Sequence, residues 1–227
     1  MEKCFKFTEQ YAGIGGRTGK LSSKLETFSR KAVYVLTALC MTVVFSCKDD
    51  DDDGGDSGDS AYFHHSGHSY LIVRELKTWS AASGDAKAKG GYLVEINSQE
   101  EQNAVYAAIQ SSGISTTYKA VTDGGGAAYI WIGASDKATE GKWVWAESNT
   151  EFWNSGSPVE NRYHNWGGKK SGTVNEPDDY DGQDAAAIGL AKWPAGQNAE
   201  LGVAGEWNDI DETNTLYYII EFNEEKN

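Results

Sequence analysis

The positions of the cysteines restrict this chain more than any other feature. The sequence has three, at Cys4, Cys40 and Cys47, so everything after residue 47 lacks cysteine. That part must fold without a disulfide framework and without a thiolate metal site. Aromatic residues make up 12% of the sequence and include eight tryptophans. A chain with this composition can bury a hydrophobic core, which excludes wholesale disorder.

Residues 1–46 are predicted to be a lipoprotein signal region. Arg30 and Lys31 precede an apolar run, residues 32–45, that is too short to span a bilayer but suits the core of a secretory signal. The run is followed by Ser46-Cys47, and a small residue before cysteine resembles a bacterial lipobox. Cys47 would then become the lipid-modified N-terminus and attach the protein to a membrane. An ordinary signal with an incidental cysteine is the alternative.

Residues 47–65 are predicted to be an acidic, flexible tether. Five consecutive aspartates, Asp49–Asp53, precede Gly54-Gly55, and such a run cannot pack. Its start also resembles the surface-export signal of certain Gram-negative lipoproteins, so we expect an outer membrane lipoprotein exposed at the cell surface. A plain linker is the alternative. Three histidines, His64, His65 and His68, are assigned to this spacer rather than to a zinc site.

Residues 66–224 are predicted to form one α+β domain. Apolar spacing indicates a helix over Trp79–Lys89, and a capping box at Ser98 begins another over Gln99–Ile109. Short β-rich runs indicate strands; they are Tyr70–Val73, Tyr92–Ile96, Tyr129–Ile132, Trp143–Trp145, Ala185–Leu190 and Tyr217–Phe222. The loops between residues 146 and 184 are long, and long loops on a compact scaffold usually carry function.

Charge is concentrated in one of these loops. The chain has 34 acidic and 20 basic residues, a net charge of −14, which argues against nucleic acid as a partner. Five acids fall within residues 176–184. Hard oxygen ligands at irregular spacing suit calcium, which accepts six to eight oxygens. From this run alone, a solvated acidic loop is an equally good interpretation.

Six motifs occur in an order and spacing that resemble the C-type lectin domain. They are Gly90-Gly91-Tyr92-Leu93, Ile96-Asn97-Ser98-Gln99-Glu100-Glu101, Trp131-Ile132-Gly133, Glu140-Gly141-Lys142-Trp143, Glu176-Pro177-Asp178 and Trp207-Asn208-Asp209. Each motif alone is weak, but together they cover about residues 68–223. The resemblance implies a C-type lectin-like fold, with two helices, short antiparallel sheets and long calcium-binding loops.

The resemblance also implies the ligands of one or two calcium ions. The first ion would be held by five side chains, at Glu176, Asp178, Gln183, Asn208 and Asp209. It would accept two vicinal sugar hydroxyls, to which Glu176, Asp178, Gln183 and Asn208 would hydrogen-bond. Pro177 is expected to follow a cis peptide bond. A second ion would use four acids, at Asp136, Glu140, Asp179 and Asp184, and would order the loop around the first.

The sequence departs from the family in ways that limit the inference. The four usual cysteine positions hold Ala86, Ala185, Glu212 and Ile220, so the customary disulfides are missing and buried tryptophans must compensate. We expect that role for Trp131, Trp143, Trp145, Trp166 and Trp207. Glu-Pro-Asp combined with Gln183 mixes the mannose and galactose patterns, which leaves the sugar undecided. Tyr180 would stack on a sugar or be a plain exposed aromatic. Trp193 and Pro194 lie in an insertion and form either a wall of the site or a cover of the core.

Two functions remain open. The first is a calcium-dependent glycan-binding module, and the alternative is a protein-binding adhesion domain with structural calcium or none. An enzyme is not expected, because no nucleophile elbow, HExxH motif or catalytic His–Cys pair occurs. The intact set of acids and amides favours the glycan-binding module.

Overall fold

The structure is a computed structural model that describes residues 61–168, 175–197 and 201–224. The predicted signal region, Cys47 and most of the predicted tether lie outside these residues. Within the described ranges, no helix is both long and apolar enough to cross a membrane.

Both predicted helices are present, and side-chain caps begin them. Helix α1 spans Trp79–Ala88, and the Thr78 hydroxyl accepts a hydrogen bond from the Ala81 backbone N–H. Helix α2 spans Gln99–Ser111, and Ser98 Oγ accepts from the Glu101 backbone N–H at 3.1 Å. These caps satisfy backbone donors that the first turn leaves free, which explains why the starts could be located from sequence.

In the described ranges, ten strands form one mixed sheet. They are β1 Ala61–His65, β2 His68–Lys77, β3 Tyr92–Leu93, β4 Tyr129–Ser135, β5 Lys142–Trp145, β6 Glu151–Asn154, β7 Ser157–Pro158, β8 Ala185–Gly189, β9 Trp207–Ile210 and β10 Leu216–Phe222. The main order is β1-β2-β10-β4-β5-β6-β7; β3 pairs with β10, β8 with β4, and β9 with β8. The expectation of antiparallel sheets therefore needs one correction. Strand β10 returns after a long connection and pairs parallel to β4.

The domain starts earlier than predicted. Strand β1 lies within residues 47–65, the segment predicted to be a flexible tether, and pairs antiparallel with β2 from Ala61↔Ile72 to His65↔His68. The three histidines assigned to the spacer therefore belong to the fold, and His68 Nδ1 lies 2.7 Å from Glu221 Oε1. The prediction failed because the aspartates and glycines before residue 61 suggested that the flexible segment continues. Tyr62 and Phe63 instead form a strand, because β2 pairs with them.

The cysteine-free core is built on aromatic side chains. All five tryptophans expected in the core are at most 1% exposed. Trp207 lies at its centre, with its ring edge-to-face against Trp145 at 5.7 Å and Trp166 at 5.8 Å between centroids. Three of the four positions where the family carries cysteine, Ala86, Ala185 and Ile220, are fully buried and packed in the core. Apolar packing thus occupies these positions, and the core holds together without a covalent link.

Candidate metal centre

Three carboxylates from two separate parts of the chain meet at one point. Glu176 and Asp178 lie in the loop before β8, and Asp209 lies in β9; one oxygen from each falls within 4.8 Å of the others. We call this group the first cluster. Glu176 is 3% exposed and Asp209 is fully buried, whereas Asp178 is exposed. The site therefore has a closed inner side and an open outer side.

The loop that carries the first cluster is fixed by its own side chains. The Glu176–Pro177 peptide bond is cis, as predicted. The Asp179 backbone N–H donates to Asp209 Oδ2 at 2.8 Å, which joins the loop to β9. The Gln183 backbone N–H donates to Asp179 Oδ1 at 3.1 Å and closes the turn. These bonds hold the carboxylates close together despite their mutual repulsion.

The inner carboxylates carry oxygens with no hydrogen-bond partner among the described residues. These atoms are Glu176 Oε2 and Asp209 Oδ1, both buried. Burial, and then neighbouring negative charge, raises the pKa of Glu176 to about 8 despite a bond from Trp193, and burial raises that of Asp209 to about 7. A buried acceptor without a donor is costly, and a cation between these oxygens removes that cost. The donor set consists only of hard oxygens, which suits calcium.

The two predicted amide ligands lie beside the first cluster, but each is bonded to the protein. Gln183 Oε1 accepts from the Tyr180 backbone N–H at 3.1 Å, and its Nε2 lies 3.2 Å from Asp123 O and 3.4 Å from Asp123 Oδ2. Asn208 Nδ2 donates to the Tyr129 hydroxyl at 3.1 Å. Because an amide nitrogen has two hydrogens, Asn208 keeps a second donor. The amide of Gln183 faces Asp123 instead of the first cluster.

Asp123 is a supporting residue that the sequence analysis missed. Besides the contact with Gln183, its carboxylate accepts from the Asp211 backbone N–H at 2.9 Å and from Asn214 Nδ2 at 2.9 and 3.1 Å. It thereby connects the loop before β4 with the acidic loop and with the turn after β9. The available sequence signal was the position of Asp123 before three glycines, a turn composition that does not name its partners.

A second group of carboxylates contains three of the four acids predicted for a second ion. Oxygens of Asp136, Glu140 and Asp184 lie within 4.8 Å of one another, and we call this group the second cluster. Asp136 Oδ2 accepts from the Gly141 backbone N–H at 3.0 Å, while its Oδ1 is buried without a partner among the described residues. Burial and then the charge of Glu140 raise the pKa of Asp136 to about 7. Asp179 lies outside this group and instead closes the turn described above.

A cleft of about 470 Å³ opens over the first cluster. Glu176, Asp178, Gln183 and Asn208 contribute to its lining, as do Tyr180 and Trp193. Tyr180 is 65% exposed, so its ring is available at the rim. Trp193 serves both of the roles considered for it, because it lines the cleft and is itself 1% exposed within the core.

The comparison with protein families agrees with this geometry. The family described as the lectin C-type domain matches residues 75–221, which is most of the domain. The chain belongs to the C-type lectin domain family. Its α+β architecture, with two helices and a mixed sheet, is the fold expected from that membership.

Relatives and solved structures of this family resemble the chain at moderate identity. Human C-type lectin domain family 10 member A is 33% identical over 126 residues, which cover 53% of this chain and 31% of that protein. The galactose-specific lectin nattectin of Thalassophryne nattereri is 28% identical over 98 residues, 42% of this chain and 55% of that protein. The chain thus spans about a third of the human protein's length and little more than half of nattectin's. The carbohydrate-recognition domain of the mouse scavenger receptor C-type lectin is 24% identical, with a TM-score of 0.49, over 73% of this chain and 96% of that one.

Proposed function

We propose that this C-type lectin domain binds glycans through a calcium ion held at the first cluster. The observation that carries the proposal is the pair of buried oxygens on Glu176 and Asp209 that have no hydrogen-bond partner among the described residues, in a cluster whose members Glu176 and Asp178 line an open cleft. A solvated acidic loop would leave its carboxylates in water, whereas these two are held in the core. The relatives named as lectins support the same function.

The side chains of the cleft suit a sugar with vicinal hydroxyls. Bound calcium supplies a positive charge that accepts such hydroxyls as ligands. Glu176 and Asp178 are acceptors for the hydroxyl protons, and the second amide hydrogen of Asn208 is a donor. The exposed ring of Tyr180 offers an apolar face to the sugar ring. The second cluster would hold a further calcium ion and fix the start of β8.

Calorimetry and a glycan screen test this proposal. The domain from residue 61 onward should bind calcium with a Kd between micromolar and millimolar, as extracellular modules do. A glycan array probed in millimolar calcium should show binding that EDTA abolishes. If calcium binds and no glycan does, the first cluster is structural. If calcium does not bind at all, the proposal is wrong.

A protein-binding adhesion domain is the second candidate. The observation in its favour is the amide of Gln183, which is directed at Asp123 and is therefore withdrawn from a sugar at the first cluster. On this alternative, calcium would order the loops around the cleft and a protein surface would contact them. Binding to a deglycosylated protein partner, unchanged by competing free sugars, would favour it over the glycan-binding function.

We also propose that the domain is displayed on a bacterial outer membrane through a lipid on Cys47. The motivation is the lipobox-like Ser46-Cys47 and the aspartate run that follows it. Binding of a sugar or protein outside the cell is a non-catalytic role. The carboxylates of the first cluster are crowded around one point, and that arrangement suits the binding of a metal ion. Cell fractionation, described below, tests the anchor.

A further inference from the structure

The segment between β8 and β9 carries one tryptophan that reaches the metal centre. Trp193 fills a slot formed by three glycines, at Gly167, Gly189 and Gly202. A Cβ atom added at these positions would lie 2.6, 2.6 and 2.0 Å, respectively, from atoms of the Trp193 ring. Any side chain at these three positions would displace the ring. The slot can hold the indole because glycine leaves its walls without side chains.

Backbone hydrogen bonds fix the same residue. The Trp193 N–H donates to Gly202 O at 3.1 Å, and the Leu201 N–H donates to Trp193 O at 2.9 Å. Two residues further on, the Ala195 N–H donates to Gly125 O at 2.7 Å, which attaches the segment to the loop before β4. Ring and backbone together leave the indole little freedom to turn.

In this position the indole N–H donates to Glu176 Oε1 at 2.7 Å. The other oxygen of Glu176, Oε2, is the buried atom without a partner among the described residues. The indole therefore distinguishes the two oxygens of one carboxylate. It occupies Oε1 and leaves Oε2 without a partner among the described residues, in a side chain that has one oxygen within 4.8 Å of oxygens of Asp178 and Asp209. Gly167 also limits the stem of Glu176, since a Cβ there would lie 3.0 Å from the Glu176 Cγ atom.

Packing alone does not explain this bond. The indole nitrogens of Trp143 and Trp166 are buried in the same domain without a hydrogen-bond partner among the described residues. A buried tryptophan here can thus pack without a hydrogen bond from its indole nitrogen to any described residue. When Glu176 is ionised, as a metal ligand must be, the Trp193–Glu176 bond joins a neutral donor to a charged acceptor, which makes it stronger than an ordinary neutral hydrogen bond.

We propose that Trp193 is a positioning residue for the metal centre. Its indole N–H holds Glu176 by Oε1, so that Oε2 is presented to the ion. This inference rests on the proposed function, because it assumes that calcium binds at the first cluster. The segment between β8 and β9 would then contribute to calcium affinity without supplying a ligand.

A matched pair of variants tests the proposal. Trp193→Phe keeps most of the ring and removes the N–H. Trp131→Phe makes the same change at a fully buried tryptophan whose N–H donates to Lys77 O at 2.9 Å, outside the cleft. Calorimetry on the domain should show that Trp193→Phe weakens calcium binding by about ten- to hundredfold, the usual effect of losing a hydrogen bond to a charged group. Trp131→Phe should lower the melting temperature and leave the calcium Kd within about twofold of wild type.

A second measurement uses the wild-type protein and does not depend on either variant folding. The indole N–H resonances of isotopically labelled protein are assigned through their contacts and followed during a calcium titration. The Trp193 resonance should shift in step with binding, and that of Trp131 should not. If wild type binds calcium but Trp193→Phe binds as tightly, or if the Trp193 resonance does not move, this inference is overturned and the proposed function stands. If wild type binds no calcium, both are overturned.

Discussion

Replacing Asp209 with asparagine should stabilise the metal-free domain and at the same time remove the part of its calcium response that comes from the first cluster. The substitution keeps the shape of the side chain and removes its charge. The new amide oxygen can still accept from the Asp179 N–H, as Asp209 Oδ2 does at 2.8 Å. The new N–H₂ group would lie where Asp209 Oδ1 now has no partner among the described residues, next to the carboxylates of the first cluster. The variant exchanges the cost of burying a charged carboxylate for a neutral amide that can donate a hydrogen bond.

The size of the effect follows from the pKa of Asp209. Burial raises this pKa from 3.8 to about 7, and each unit is worth about 1.4 kcal/mol. At pH 8 the ionised group therefore destabilises the metal-free fold by up to about 4 kcal/mol. We expect the Asp209→Asn variant to recover about 2–4 kcal/mol, or roughly 5–15 °C in melting temperature for a domain of this size. Saturating calcium should stabilise wild type by about 3 kcal/mol at a hundred times the Kd.

Thermal melts in EDTA and in calcium at pH 8 check both parts. Asp211→Asn is the control, since it makes the same change two residues away in a side chain outside both clusters. It should leave the calcium response intact. The pH dependence supplies a further check. The folded-state pKa lies above the unfolded value, so the destabilisation grows from about pH 4 to pH 7 and is constant above that. The advantage of the Asp209→Asn variant should therefore disappear near pH 4.

Two results would refute the reasoning. If the Asp209→Asn variant is less stable than wild type in EDTA at pH 8, the buried carboxylate is not a source of strain. If it still gains stability in calcium as wild type does, the ion does not bind at the first cluster.

Four further predictions concern other parts of the molecule. Calcium binding at pH 7 should release protons from the first cluster, because the raised pKa values of Glu176 and Asp209 leave it partly protonated. Calorimetry in buffers of different ionisation enthalpy measures the proton release, and identical binding heats in all buffers would contradict it. Asp136→Asn should reduce the calcium stoichiometry by one and leave the first site occupied; an unchanged stoichiometry would exclude an ion at the second cluster. Gln183→Glu should destabilise the metal-free domain by about 1–3 kcal/mol, because it removes a donor to Asp123 and adds a like charge; equal melting curves in EDTA would show that this contact contributes nothing. Cys47→Ala in the full-length chain should move the protein out of the membrane fraction or leave its precursor uncleaved, and a variant that fractionates and matures like wild type would exclude a lipid at Cys47.

Local signals explain what the sequence analysis predicted correctly about the fold. The caps at Thr78 and Ser98 act within three residues, so the starts of α1 and α2 can be located without knowledge of the rest. Strand β9 was missed for the opposite reason. It buries Asn208 and Asp209, and polar side chains inside a strand resemble a loop when the sequence is taken alone. The same two residues are polar because they belong to the candidate site.

The candidate site was predicted from motifs, while its supporting contacts were not. Glu176, Asp178 and Asp209 could be named in advance because the family motif includes them. Asp123 is bonded to residues 60 and 91 positions away, and no spacing in the sequence connects such positions. The bond between Trp193 and Glu176 likewise depends on a slot of glycines that only the folded chain brings together.

The pairing of the first and last strands in the sequence has a consequence for how such domains can be combined. Strands β1 and β10 both pair with β2, and the ring of Tyr62 stacks on that of Phe222 at 6.4 Å between centroids. The described domain thus begins and ends on the two strands that flank β2, and none of the residues that line the cleft belongs to β1, β2 or β10. Copies of this domain could therefore be linked in tandem, or one could be inserted into a surface loop of another protein, with every cleft still open to its ligand. Such an array would turn a weak single-site affinity into a strong multivalent one.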